Sequence, residues 1–165
     1  LLSKRPTLKL RVIGEKIDSR YALELNNLII DLKLENNIIF KGKIRAPEVM
    51  EYIKNCRVFV FPSLVETFGN PLLEAMAVGV PIACSRNAAM PEVLGESGVF
   101  FNPNDECDIA DKIEMLLSNS KLSLDLSEKA TQRANAFSWE TTANNTYQIL
   151  SDASYVSSKR LKIIR

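Results

Sequence analysis

The stretch Arg57-Val58-Phe59-Val60-Phe61, Pro62-Ser63-Leu64-Val65-Glu66-Thr67-Phe68-Gly69-Asn70, Pro71-Leu72-Leu73-Glu74-Ala75-Met76-Ala77-Val78-Gly79, Val80-Pro81-Ile82-Ala83-Cys84 decides the fold. Its first five residues are an apolar run of strand length, closed by a Pro-Ser breaker. After a polar loop, Pro71 supplies the fixed φ that suits the first turn of a helix, and Gly79 ends that helix after Ala77. The last five residues are another apolar run, with Pro81 near its start, where a missing N–H costs least. Strand, loop, helix and strand in this order are the unit of a parallel sheet.

The same alternation continues outward. Leu8, Leu10 and Val12 alternate with Lys9 and Arg11 before Ile13 and Gly14, which reads as a strand ending at a glycine turn. From Asp18 to Leu34, Tyr21, Leu25, Leu28 and Leu32 follow helical spacing. Asn36-Asn37 breaks that pattern, and Ile38-Ile39-Phe40 forms a strand stopping at Gly42. Pro47 opens a helix through Lys54. Beyond Cys84, Pro91-Glu92-Val93-Leu94 reads as one helical turn and Gly98 to Phe101 as a last strand. Asp105 is expected to cap a helix whose face Ile109, Ile113, Leu116 and Leu117 has core spacing. A helix from Lys121 to Ala136 follows. Ser138 then caps another without a capping box, because its N3 position is Thr141. Trp139, Ala143, Tyr147 and Leu150 recur every three or four residues; Tyr147, Trp139 and Phe137 are expected to pack in the core rather than form a stacking platform. Lys159-Arg160-Leu161-Lys162, with Arg165, reads as a solvated terminal turn rather than a membrane contact. The fold expected is α/β: a Rossmann-like parallel sheet sandwiched by helices, with additional C-terminal helices, in a single domain over residues 1–165.

Composition narrows the function. The chain has 165 residues, 46% hydrophobic and 25% charged, with 21 Lys and Arg against 20 Asp and Glu. That is ordinary globular usage, and a net charge of +1 gives no electrostatic case for nucleic acid. The absence of histidine excludes a zinc enzyme using imidazole, a Ser-His-Asp triad and a histidine base. Cys56, Cys84 and Cys107 form no CxxC pair and suit free thiols in a reducing compartment. No apolar run is long enough to span a bilayer. The opening Leu1-Leu2-Ser3-Lys4-Arg5-Pro6 is too polar for a signal peptide and lacks Met, so the chain reads as excised from a larger protein.

A parallel sheet binds ligands at the carboxyl ends of its strands, here the loops after Ile13, Phe40, Phe61 and Cys84. The loop after Phe61 supplies Glu66, a glycine, a helix start with unpaired N–H groups near Asn70 to Leu73 (Pro71 has none), and Glu74 one turn further. Such N–H groups and the helix dipole suit a phosphate or a cluster of hydroxyls. A carboxylate at Glu74 can accept from a diol such as a ribose, and Glu66 from sugar hydroxyls. By themselves the same residues also fit a helix-capping loop carrying two surface glutamates.

The pattern P-S-x-x-E-T-F-G-N-P-x-x-E-A-M-A-x-G-x-P resembles the donor-site signature of the retaining group 1 glycosyltransferases, enzymes built from two Rossmann-like domains. Further elements match in order: Leu10 to Gly14 resembles the family's V-x-G strand, and Phe40-Lys41-Gly42-Lys43-Ile44 its F-x-G-x-V element. Arg57 to Ser63 resembles its F-V-x-P-S strand, and Ser85 to Gly95 its S-x-x-x-x-x-P-E-V-x-G loop. Asn102-Pro103-Asn104-Asp105 and Phe137-Ser138-Trp139 resemble its P-x-D and F-S-W segments.

The resemblance implies a C-terminal nucleotide-sugar-binding domain that takes a UDP- or GDP-linked donor and transfers its sugar to an acceptor hydroxyl with retention. It implies that Glu66, the residue placed at the reaction centre, lies near the donor sugar as a positioning group rather than a nucleophile. The N–H groups of Phe68, Gly69 and Asn70 would hold the sugar, those of Leu72 and Leu73 would face the diphosphate, and Glu74 would bind the ribose. Gly14 would lie in the nucleotide loop, and the main chain of Ile44 would read the base. No metal and no separate cofactor is implied, since no D-x-D motif occurs. An N-terminal acceptor-binding domain and an Arg and Lys pair that neutralises the diphosphate are expected outside the chain. The family suggests bacterial surface polysaccharide or lipopolysaccharide synthesis with a lipid-linked or polysaccharide acceptor, in the cytoplasm or peripherally at the inner face of the membrane. The other reading is a nucleotide-binding, regulatory or structural domain without transferase activity.

Overall fold

Strand β4 (Ile82–Ser85) is the only strand among the described residues with every position buried, and the molecule is arranged around it. In the computed structural model residues 1–16 and 18–163 are described, those from 154 to 163 by backbone alone. The side chains of Lys159-Arg160-Leu161-Lys162, and Arg165 altogether, lie outside the described residues.

On one side β4 pairs in parallel with β3 (Phe59–Phe61), on the other with β5 (Val99–Phe101). A second parallel ladder joins β1 (Leu10–Ile13) to β2 (Ile38–Gly42). Between them run α1 (Ser19–Asp31), α2 (Ala46–Lys54), α3 (Asn70–Ala77) and α4 (Met90–Leu94), followed by α5 (Glu106–Ser118), α6 (Ser120–Ala134) and α7 (Trp139–Ile163). This is the expected α/β architecture, Rossmann-like, with parallel strands, flanking helices and further helices at the C-terminal end. The strands fall into two ladders rather than one. Helix α2 touches both: Ile53 is buried in the same cluster as Phe61, and Lys41 of β2 lies over the Tyr52 ring, 5.3 Å from its centroid.

Alternation along β4 explains its central place. Ile82 and Cys84 enter one core with Phe61, Leu72, Met76, Met90, Leu94 and Ala130. Ala83 points the other way, into a smaller core with Phe101, Leu116 and Leu126. Helices α3, α4 and α6 supply the first core, and α5 with the start of α6 supplies the second. Leu94 is fully buried, so truncating it to Ala costs about 2–5 kcal/mol.

The caps follow the expected chemistry. Asp105 accepts from the N–H groups of Cys107 and Asp108, and Ser138 Oγ accepts from Thr141 N at 3.0 Å. Ahead of β1, Arg5 forms a forked pair with Glu114 of α5, at 2.9 and 3.1 Å.

Two apolar faces depart from expectation. In α7, Trp139 is 86% and Tyr147 73% exposed, so the core role expected of them is not borne out. Their period marks an amphipathic face, but no described element of the chain lies over it. Phe137 alone of that group is half-buried, against Phe68. In α1 the register is similarly open: Tyr21, Leu28 and Leu32 are exposed and Ile29 is the buried residue.

Candidate functional site

The parallel registers bring strand ends together. Phe61 lies opposite Cys84, and Ser85 opposite Phe101, so the loops after β3, β4 and β5 leave one edge. Ile13 lies opposite Gly42, which places Gly14 and the Gly42–Ile44 turn side by side; Gly14 N donates to Gly42 O at 3.0 Å.

The loop from Pro62 to Gly69 is shaped by three contacts. Ser63 Oγ donates to Glu66 Oε1 at 3.1 Å, which fixes the half-buried carboxylate. Phe68 packs edge-on against Phe137, with ring centroids 5.6 Å apart at 72°. Gly69 is buried in the left-handed region, φ 86°, and a Cβ there would meet Phe61 Cε1 at 3.3 Å. Only glycine takes this conformation without strain.

That turn decides which donors are free. The N–H groups of Leu72 and Leu73 both donate to Gly69 O, at 2.9 and 3.3 Å, and the Leu72 side chain is fully buried. The expected free donors at Leu72 and Leu73 are therefore already engaged by the tightened first turn. The N–H groups of Phe68, Gly69 and Asn70 have no intramolecular partner among the described residues. Together with the dipole of α3 they form the donor cluster at this edge. Glu74, one turn further, is exposed. Glu66 thus stands before the amide cluster and Glu74 after it, whereas Gly14 and Ile44 belong to the other ladder's edge.

Three residues that the motif reading gave no part contribute. Ser63 orients Glu66, and Phe61 forms the floor under Gly69. Asn87 Nδ2 reaches Leu64 O at 3.5 Å and ties the loop after β4 to the Glu66 loop. The hydroxyl three residues before Glu66 was the available signal for Ser63, while the Phe61 and Asn87 contacts depend on tertiary packing. Within that second loop, Ala88 holds φ 49°.

Two concavities lie away from this pair of glutamates. One of about 350 Å³ opens at the ends of β4 and β5, and one of about 230 Å³ lies among Arg11, Glu51, Tyr52 and Asn55. The described residues contain no group of three or more His, Cys, Asp or Glu placed to hold a metal ion. No described helix is long and apolar enough to cross a membrane. The three cysteines are free; burial pushes the Cys84 thiol up to about 12, and the half-buried Cys56 thiol is also raised.

The model of the family described as glycosyl transferases group 1 matches residues 1–133. The chain is 39% identical over 119 residues to the O-antigen chain mannosyltransferase B of Escherichia coli, covering 70% of this chain and 31% of that protein. It is 27% identical over 168 residues to D-inositol 3-phosphate glycosyltransferase of Arthrobacter sp. (strain FB24), covering 99% of this chain and 40% of that protein. It therefore spans less than half the length of these relatives. Among solved structures, the C-terminal domain of the group 1 family glycosyl transferase LpcC from Francisella tularensis matches with a TM-score of 0.74 at 31% identity, covering 82% of this chain and 72% of that one. Anabaena HepE in complex with UDP matches in fold, with a TM-score of 0.81 at 24% identity, over 89% of this chain and 42% of that one.

Proposed function

The chain belongs to the group 1 glycosyl transferases, and from that premise we propose that it is the C-terminal donor-binding domain of a two-domain enzyme. The enzyme transfers a sugar from a UDP- or GDP-linked donor to an acceptor hydroxyl, with retention. The observation that carries this reading is the trio of unpartnered amides at Phe68, Gly69 and Asn70, with Glu66 and Glu74 on either side.

In that reading the amides meet charge growing on the leaving diphosphate and the donor sugar, as oriented dipoles do best when water is excluded. The diphosphate rests at Gly69 and Asn70, one turn earlier than Leu72 and Leu73, whose N–H groups are engaged. Glu66, held by Ser63, accepts from sugar hydroxyls and positions the ring. Attack comes from the same face as the leaving group, with the diphosphate taking the acceptor proton. Glu74 accepts from the ribose diol, while the loop at Gly14 and the main chain at Ile44 face the nucleotide and its base. Closure of an N-terminal acceptor domain over this edge completes the site, and cations from outside the chain neutralise the diphosphate. The similarity to an O-antigen mannosyltransferase supports a role in bacterial surface polysaccharide synthesis. Three free thiols suit the cytoplasm.

Calorimetric titration of the chain with UDP and GDP, beside its Glu74→Ala variant, tests the donor assignment. Because Glu74 is exposed, the variant keeps its stability, and nucleotide affinity falls about tenfold, the loss of a charge-assisted hydrogen bond. Unchanged affinity removes the ribose role. The chain alone is expected to show no transfer, and turnover by it would refute the two-domain assignment. Ala88, held at φ 49° in the loop after β4 where glycine would be unstrained, favours a second reading, nucleotide binding without transfer. Equal affinity of the full-length protein for the free nucleoside diphosphate and all its sugar conjugates supports that one.

A further inference from the structure

The concavity of about 350 Å³ at the ends of β4 and β5 has no part in the donor site above, yet it opens on the same sheet edge. Arg86 follows the last residue of β4, and its backbone N donates to Phe101 O at 3.1 Å. Its guanidinium lies over the Phe100 ring, 5.5 Å from the centroid. That is its one side-chain interaction among the described residues, so the planar fork of N–H donors is held by the ring and otherwise unpartnered. Lys112 of α5, half-buried, lines the same concavity. Its neighbour Asp108 is already committed: one oxygen accepts the Asn102 N–H at 2.7 Å, and the other lies 3.7 Å from Lys112 Nζ. The remaining polar groups are the side-chain amides of Asn87 and Asn102.

A guanidinium stacked on an aromatic ring loses little freedom when it forms two parallel hydrogen bonds, and phosphate and carboxylate are the groups that match its fork. With two cations against one engaged carboxylate, the concavity carries net positive charge in a chain that is otherwise nearly neutral. Asn87 also ties this wall to the Glu66 loop through Leu64 O. We propose that Arg86, held on Phe100 in the concavity that Lys112 also lines, forms an oxyanion subsite that binds a phosphate or carboxylate carried by the acceptor. The proposal rests on the donor reading only for the word acceptor; the oxyanion site stands on its own geometry.

The test is a set of amide-resolved NMR titrations of the chain with inorganic phosphate, a hexose 6-phosphate, a hexuronic acid, an uncharged methyl hexoside and UDP. Hexose 6-phosphate and hexuronate are expected to shift the amides of residues 86–87, 100–102 and 108–112, and the uncharged hexoside to leave them in place. Arg86→Ala weakens that binding at least tenfold, Arg86→Lys by less, and Glu74→Ala not at all. Because Arg86 is exposed, retained spectral dispersion in its variants shows that the fold persists. UDP is expected to shift residues 66–74 instead; its failure there overturns the donor reading and leaves the subsite standing. No movement at residues 86–87 with any oxyanion, or undiminished binding by Arg86→Ala, overturns the subsite. A response to inorganic phosphate equal to that of the hexose 6-phosphate overturns the assignment to an acceptor. So does displacement of hexose 6-phosphate by UDP, since the concavity then belongs to the donor's diphosphate.

Discussion

Gly69 shows how one backbone angle sets the chemistry of a loop. Its left-handed turn directs its carbonyl to the N–H groups of both Leu72 and Leu73, which leaves the free donors earlier in the chain. A sequence motif marks the helix start, but it does not tell which amides the first turn consumes. Lys33 presents the reverse situation at the end of α1, a side chain where glycine is favoured. Leu34 N donates to Ile29 O and Lys33 N to Ile30 O, both at 2.9 Å, a complete Schellman closure with Lys33 at φ 55°. An L-residue held there loses about 1 kcal/mol relative to glycine, partly offset by the greater freedom of glycine in the unfolded chain. Lys33→Gly is therefore expected to stabilise the chain by about 0.5 kcal/mol. The measurement is the urea midpoint at unchanged m-value; a midpoint shifted downward means the left-handed turn is not populated.

At the scale of elements, period and punctuation told where helices and strands lie, because each start and stop has a local cause. Asp105 caps α5 with its own carboxylate, and Gly79 closes α3, where its N–H donates to Met76 O at 3.1 Å. Burial was legible only where another element covers the face. Ile82 and Cys84 are buried because α3, α4 and α6 lie over them, whereas Trp139 and Tyr147 have the same helical spacing and no described cover. The Glu66 and Glu74 pair was likewise visible as a spacing; Ser63, Phe61 and Asn87 gained their roles from the turn and from neighbouring loops. One tertiary clasp had no sequence signature at all. Arg133 of α6 donates through Nε to Val93 O at 2.6 Å and through Nη2 to Glu92 O, closing the C-terminal end of α4. The guanidinium also lies 5.9 Å from the Phe137 ring. Arg133→Ala leaves those carbonyls unpaired and is expected to cost about 2 kcal/mol, with Arg133→Lys recovering part of it. Equal denaturation midpoints for wild type and Arg133→Ala would show the clasp to be inert.

For the whole molecule, stability is unevenly spread. The fully buried side chains of Leu72, Met76, Ile82, Met90, Leu94 and Phe101 all belong to the part built on β3, β4 and β5. On the other ladder Leu10 is 50% and Val12 37% exposed, and α1 contributes one buried residue, Ile29. The forked pair of Arg5 with Glu114 ties the segment ahead of β1 to α5. The hydrogen bond from Arg5, with the guanidinium charge, holds the Glu114 carboxyl below its ordinary range. A lowered folded-state pKa gives stability that is complete above the unfolded carboxyl's value and lost as pH falls through the folded one. Thermal melts from pH 6 down to pH 3 should accordingly lose more stability in wild type than in Arg5→Met, and parallel curves would exclude this linkage.

The same imbalance predicts the order of opening. Local unfolding exposes least apolar surface where little was buried, so amides there exchange through openings smaller than the global transition. In native-state hydrogen exchange the amides of Ile82–Ser85 are expected to exchange only with global unfolding, their protection tracking denaturant with the full m-value. Those of Val12 and Ile13 should exchange through an opening of lower free energy and smaller m, and Arg5→Met should lower their protection further while leaving β4 unchanged. The loop after β3 is anchored on the stable part through Phe61 and Gly69, whereas Gly14 and Ile44 sit on the weaker ladder. A nucleotide that engages both edges must then raise protection at Gly14 as much as at Ser85, because the opening that separates its two contacts releases it just as global unfolding does, whereas one held by the β3 edge alone leaves the opening at Gly14 unsuppressed. Uniform protection across both ladders, before and after adding nucleotide, would mean that the chain opens as one unit and that its two edges are already locked together.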